Sequence, residues 1–157
     1  MDYYQGIVTE YLRADRAMFV NTECCIQLNP GANPDRSGPH WYCDAVAINL
    51  RDRQVFLCEI SFSSSLSDLG KRLNAWHSNW QALRLALARD LYIDPSWPVT
   101  PWAFVPQELF PTLGRRLAST YASEATLTEQ MSYPKVTALE EVVPWKYRSW
   151  NRTPAPE

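Results

Sequence analysis

The chain reads as an α/β protein, a sheet of four to five strands flanked by helices in the order αβββαβα. Three observations predict it. Two neighbouring runs, Trp41–Leu50 and Val55–Phe62, are rich in β-branched, aromatic and small apolar residues and are divided by a polar turn, as in an antiparallel hairpin. Apolar residues then recur in steps of three and four at Leu66, Leu69, Leu73, Trp76, Trp80, Leu83 and Leu87, which marks one buried helical stripe. A further apolar run, Val99–Val105, follows the break at Asp94-Pro95, so strands and helices alternate. At 157 residues, 46% hydrophobic and 20% charged, the chain has the size and composition of one globular domain with a full core. Residues 1–143 are assigned to that domain and residues 144–157 to a basic, aromatic tail.

Residues 3–19 read as an amphipathic helix, with Tyr4, Ile7, Val8, Tyr11, Leu12 and Met18 on one broad face and Glu10 at its margin. Glu10 is there either a solvated surface acid or one that reaches inward. Phe19–Leu28 favours a strand, stopped by Asn29-Pro30-Gly31. The Pro- and Gly-rich loop up to His40 is either the border of a site or a plain surface excursion. Val55–Phe62 is apolar on both faces, which predicts a strand covered on both sides at the centre of the sheet. Ser65 with Asp68 resembles a capping box opening one helix that runs to about Arg89. On its wheel Arg72 and Arg84 flank the buried stripe, and Lys71 projects nearly opposite. Pro101 predicts that the strand at Val99–Val105 is irregular or near an edge. Gln107–Thr120 reads as a third helix and Val136–Val143 as a last strand.

Charge narrows the classes of partner. The net charge is −2 and the pI near 5.7, so no overall basic field announces a nucleic-acid binder, and such binding would use local patches. The tail offers one: Lys146, Arg148 and Arg152 alternate with aromatic residues, a pattern suited to phosphates and stacked bases, or equally to tryptophans packing on their own domain. The apolar runs are too short to cross a bilayer and no basic start precedes an apolar signal core, which predicts a cytoplasmic protein with no membrane partner. Cys24 and Cys25 are adjacent while Cys43 and Cys58 stand alone, which is not metal-ligand spacing and reads as small buried thiols. His40 and His77 form no cluster.

The hairpin carries two misplaced acids, Asp44 and Glu59. An ionised carboxylate buried without a partner costs several kcal/mol, so each needs a cation, a metal or an opening to solvent. If the turn has two or four residues, Leu50 pairs with Val55, Asp44 falls opposite Ser61 and Glu59 is its diagonal neighbour on the same face. An odd turn would put the two acids on opposite faces. The even register gathers two carboxylates and a hydroxyl into one patch, which suits a hard divalent cation.

With Glu10 on the first helix, Asp44 on the second strand and Glu59-Ile60-Ser61 on the third, the chain resembles the PD-(D/E)XK nuclease superfamily over roughly its first 105 residues. The resemblance implies the restriction-endonuclease-like fold, with a mixed sheet. It also implies that Asp44 and Glu59 hold Mg²⁺ (or Mn²⁺) together with the Ile60 carbonyl, that Glu10 supports the metal or its water, and that the substrate is nucleic acid, DNA first. The motif lysine is replaced by Ser61, which cannot supply a cation. Lys71 on the following helix is the nearest substitute, although it points away on a regular helix. Arg72 could serve as a cation at the phosphate but is a poor proton acceptor.

Three functional readings follow. The first is a metal-dependent nuclease whose catalytic residues are drawn from Glu10, Asp44, Glu59, Ser61 and Lys71, with Arg72 and the tail cations on the nucleic acid. The second is a catalytically inactive nuclease-like fold that binds nucleic acid or protein. The third is a small α/β domain whose acids answer Arg13, Arg16 or Arg72. A Trp-rich helix face would also offer a homodimer surface.

Overall fold

The computed structural model describes residues 2–29, 39–122, 130–144 and 146. Its element order is α1 (Tyr3–Arg13), β1 (Met18–Gln27), β2 (His40–Asn49), β3 (Gln54–Ile60), α2 (Ser67–Ser78), α3 (Trp80–Leu91), β4 (Val99–Val105), a short 3₁₀ turn, α4 (Phe110–Leu117) and β5 (Lys135–Ala138). The five strands form one open sheet in the order β1-β2-β3-β4-β5. β1, β2 and β3 pair antiparallel, and β4 and β5 continue the sheet parallel to β3. The fold is therefore α/β with a mixed sheet, and β3 is its middle strand. No described helix is long and apolar enough to cross a membrane.

Helices cover both faces of the sheet. Val8 and Leu12 of α1 pack on Ala45, Ala47, Cys58 and Phe104 on one side. The stripe of α2 and α3 packs on Val46, Val55, Leu57 and Val105 on the other, joined by Leu113 and Leu117 of α4. This double coverage is why β3 alternates between two apolar faces rather than between apolar and polar ones.

Several boundaries differ from the sequence reading, each for a local reason. The first helix ends at Arg13, and Asp15 then accepts the Ala17 N–H in a turn that opens β1. The long helix breaks into two at Asn79, whose side chain donates to the Ala75 carbonyl at 2.8 Å and competes with the helical ladder. All seven stripe residues are nonetheless buried. Trp76 and Trp80 thus face the sheet, and the helix face offered for a homodimer lies in the core. Leu66, with φ 48°, precedes α2 in place of a capping serine, and the Ser65 hydroxyl accepts the Ser67 N–H. Pro101 sits on an interior strand, opposite Leu57, and β5 pairs only from Trp102 onward. The last strand is four residues long and gives way to a 3₁₀ turn at Leu139–Glu141.

The hairpin turn has the even length that puts both acids on one face, but its register is shifted. Asn49 pairs with Gln54, because the Asn49 side chain accepts the Asp52 N–H and Arg53 closes the turn in a left-handed conformation, φ 53°. The ladder runs to Ala45↔Cys58, so the next pair in register is Asp44 with Glu59, not Asp44 with Ser61.

The alternation of β1 and β2 also changes phase near this point. Met18 and Val20 pack on the α1 side, whereas Cys24 and Ile26 pack on the other; between them Glu23 has φ 52°. In β2, Ala45 and Ala47 face α1, whereas Trp41 and Cys43 face away from it. A left-handed non-glycine residue inside a strand costs on the order of 1 kcal/mol. The kink lets both strands change faces where Asp44 stands. Phe104, fully buried against α1, anchors the same side. Phe104→Ala is expected to lower stability by about 3–5 kcal/mol in urea unfolding, with the transition remaining cooperative.

Candidate functional site

The carboxylates lie where β2 and β3 part. Beyond Ala45↔Cys58 the strands exchange no further ladder bonds, and side chains take over. Asp44 Oδ2 accepts the Ile60 N–H at 2.8 Å, and Glu59 Oε1 accepts the Asp44 N–H at 3.4 Å. Meanwhile β3 stays paired with β4 through Ile60↔Phe104, and the Ser61 N–H continues that line to the Phe104 carbonyl. The fork opens a small polar cavity of about 180 Å³ lined by Asp44, Glu59, Ile60 and Ser61, with Gln5 from α1 and Asp68, Leu69 and Arg72 from α2.

One polar side chain reaches the fork from each helical layer. Gln5 belongs to a capping box: Asp2 accepts the Gln5 N–H at 2.8 Å, and Gln5 Oε1 accepts the Asp2 N–H at 3.0 Å. With its oxygen committed to the cap, the Gln5 amide turns its nitrogen to Asp44 Oδ1, 2.9 Å away. Arg72 Nη1 donates to both Glu59 oxygens at 3.0 Å and to the Tyr42 carbonyl at 2.7 Å. The Glu59 side chain is only 7% exposed, against 34% for Arg72. The buried acid therefore has one charged partner at the cavity wall.

Burial sets the protonation. It pushes Glu59 up to about 8, with the Asp44 charge adding to the shift and Arg72 opposing it. Burial also raises Asp44, against the pull of the Ile60 N–H, Arg72 and Gln5. Behind the pair, burial drives the thiols of Cys43 and Cys58 up further, so they stay neutral. They are packing groups.

The sequence-predicted residues divide clearly. Asp44, Glu59, Ile60, Ser61 and Arg72 come together in the cavity. Glu10 does not: its side chain is 71% exposed and pairs with Arg13 on the outer side of α1, because the helix turns that residue away from the sheet. Gln5, one and a half turns earlier, holds the place expected of Glu10. Lys71 is exposed on α2 and lines no part of the cavity, since the helix is regular there and its neighbour Arg72 takes the inward position. Lys146 is exposed just after the last turn, while Arg148 and Arg152 lie outside the described residues. Most of the loop before His40 does too.

Gln5 and Asp68 are the lining residues that sequence reasoning missed. The signal for Gln5 was present as Asp2-x-x-Gln5, a capping pattern at the very start of the chain. Nothing local marked Asp68 as more than a first-turn acid. A larger cavity of about 630 Å³ lies at the turn end of the hairpin, beside Phe56 and Trp102, with the Lys135 ammonium 3.8 Å from the Trp102 ring. Its acids Asp15 and Asp52 are already tied to Arg51. It lacks the buried, mutually perturbed carboxylates that mark the smaller one.

No family model matches the chain, and no curated protein or solved structure matches it either.

The donor chemistry of the cavity fits a hard divalent cation: the carboxylates of Asp44, Glu59 and Asp68, the Ser61 hydroxyl and the backbone at Ile60 all offer oxygen. Among the described residues no three His, Cys, Asp or Glu side chains gather as a metal cluster, so a cation would depend on Asp44 and Glu59, with Arg72 releasing Glu59. The raised Glu59 has a separate consequence for stability. A carboxyl whose folded pKa lies above its unfolded value contributes stability that is full below about 4.5 and lost as pH rises to about 8. Relative to Glu59→Gln, the wild type is therefore expected to lose stability between pH 5 and 8, by up to about 1.4 kcal/mol per pH unit. Urea unfolding of both proteins across that range checks it, and parallel profiles would contradict it.

Proposed function

We propose that this protein is a metal-dependent nuclease of the PD-(D/E)XK kind in which Arg72 stands in for the motif lysine. The observation that carries the reading is the facing pair Asp44 and Glu59 at the β2–β3 fork, with Arg72 Nη1 3.0 Å from Glu59 and Ser61 in the same cavity. The mixed sheet with α1 on one face and α2 to α4 on the other supports the restriction-endonuclease-like fold.

The roles follow from chemistry. Asp44 and Glu59 would hold Mg²⁺ or Mn²⁺, with the Ile60 carbonyl as a neutral third donor. A cation in that place supplies Lewis acidity, activating water and neutralising charge at the phosphoryl centre. Gln5 and the Ile60 N–H each hold one Asp44 oxygen and so orient the carboxylate. Arg72, permanently charged and a third exposed, would be the residue able to pair with a phosphate oxygen. Ser61 orients a water by hydrogen bonding.

One observation favours a second reading. Arg72 already fills the place a cation would take on Glu59, so a fold that has lost metal binding would look the same. It would be a non-catalytic binding module.

Cleavage of plasmid, linear duplex, single-stranded DNA and RNA in Mg²⁺ or Mn²⁺ separates the two. The expected result is metal-dependent cutting that falls about a hundredfold or more in Glu59→Gln or Asp44→Asn. Arg72→Ala is expected to fall at least about tenfold, Arg72→Lys less, and Lys71→Ala hardly at all. No cleavage by the folded wild type on any substrate overturns the nuclease reading and leaves the second.

A further inference from the structure

We infer that the larger cavity, at the turn end of the hairpin, binds a small aromatic carboxylate with its anion on the Lys135 ammonium. This cavity shares no lining residue with the one at the fork, so the inference is independent of the nuclease reading. Its volume of about 630 Å³ is the size that takes a drug-sized molecule. The wall is aromatic and fixed. Trp102, which is buried, donates its indole N–H to the Thr137 hydroxyl at 2.9 Å and stacks on Phe104 at 4.8 Å. Phe56 and Tyr11 meet the same indole edge-on, with centroids 5.0 and 6.2 Å away. Rings held by packing in this way offer a flat molecule a preformed surface, at little cost in ordering.

Charge selects an anion. Arg16, Arg51 and Lys135 line the cavity against Asp15 and Asp52, an excess of one positive charge on a chain whose net charge is −2. Arg51 already holds both acids. Lys135 is exposed and pairs with no carboxylate among the described residues; its ammonium stands 3.8 Å from the Trp102 ring and 5.7 Å from the Phe56 ring. A ligand cation would find the indole face taken and both acids occupied. An anion would find a cation held on the aromatic wall, and one charge in excess fits a carboxylate better than the dianion of a phosphate monoester.

A second polar group defines the far end of the ligand. Asn49 lines the cavity and is only 5% exposed. Its Oδ1 accepts the Asp52 N–H, which sets the orientation of the amide, and its Nδ2 has no acceptor among the described residues. That nitrogen is not sealed off by protein. A nearly buried donor that opens on a cavity calls for an acceptor there. In the strand order β2-β3-β4-β5, Phe56 lies between Asn49 and Lys135. A molecule that reaches both donors therefore crosses the Phe56 ring, with a carboxylate at one end and an acceptor oxygen at the other.

The test is equilibrium dialysis of the full chain at neutral pH with 6-hydroxy-2-naphthoate, which carries these two oxygen groups across a flat body. Its neutral methyl ester and the phosphate monoester of the same ring system are the comparisons. The expected result is saturable binding of the carboxylate, with the ester at least about tenfold weaker and the phosphate weaker as well. Lys135→Met is expected to lose at least about tenfold and Lys135→Arg to retain binding. Asn49→Asp keeps the acceptor for the Asp52 N–H but replaces the donor by a carboxylate oxygen, and is expected to lose at least about tenfold. Thermal unfolding confirms that each variant is folded, and Lys135, at an exposed position, decides the matter if Asn49→Asp is not. No saturable binding by the wild type, an ester that binds as tightly, or unchanged affinity in Lys135→Met overturns the inference. Tighter binding of the phosphate overturns the choice of a carboxylate, and unchanged affinity in folded Asn49→Asp overturns the second contact.

Discussion

Beyond Ala45 and Cys58 the two central strands part, and the N–H groups of Asp44 and Ile60 would be left without ladder partners. Carboxylates take them instead: Asp44 holds Ile60, and Glu59 meets Asp44. A buried N–H without an acceptor costs about 1–3 kcal/mol, so these acids are part of the architecture before they are part of any chemistry. Two carboxyl groups brought together at a buried fork in turn demand partners. Gln5 from one helical layer and Arg72 from the other supply them, and the four side chains tie α1, the sheet and α2 together. The cavity is the space left between these obligations.

That arrangement explains how one site can be structurally settled and still available. Arg72 offsets the cost of burying Glu59, but it approaches from the solvent side and is a third exposed. The Asp44–Ile60 and Gln5–Asp44 bonds do not involve it. A buried ion pair is weak evidence for stability by itself, since desolvation cancels much of the attraction.

Much of this was legible in the sequence. The two-faced apolarity of Val55–Phe62 identified the central strand, because coverage on both sides leaves no polar alternation. The three-and-four spacing from Leu66 to Leu87 identified the buried stripe, and packing preserved it even where Asn79 broke the helix. The two acids shared a face because an even turn fixes parity. Their exact pairing was not legible, since it depends on Asn49 capping the turn and on Arg53 at φ 53°, neither of which composition specifies. Lys71 points outward, as its place on the wheel implied, and only the resemblance made it a candidate. Glu10 stood at the margin of the apolar face, where the wheel leaves inward and outward both open, and it turns out to solvent. Arg72 and Gln5 are the residues that phase selected.

The proposed cation site at Asp44 and Glu59 requires that Arg72 be displaced. Calorimetric titration of Mn²⁺ into the folded protein, at a pH above about 8 where Glu59 is ionised, decides it, with Asp44→Asn as the comparison. Saturable binding of one ion by the wild type is expected, weakened at least about tenfold in Asp44→Asn. Binding that Asp44→Asn leaves unchanged, or no binding by the wild type, would contradict it and leave Arg72 as the permanent occupant of the fork.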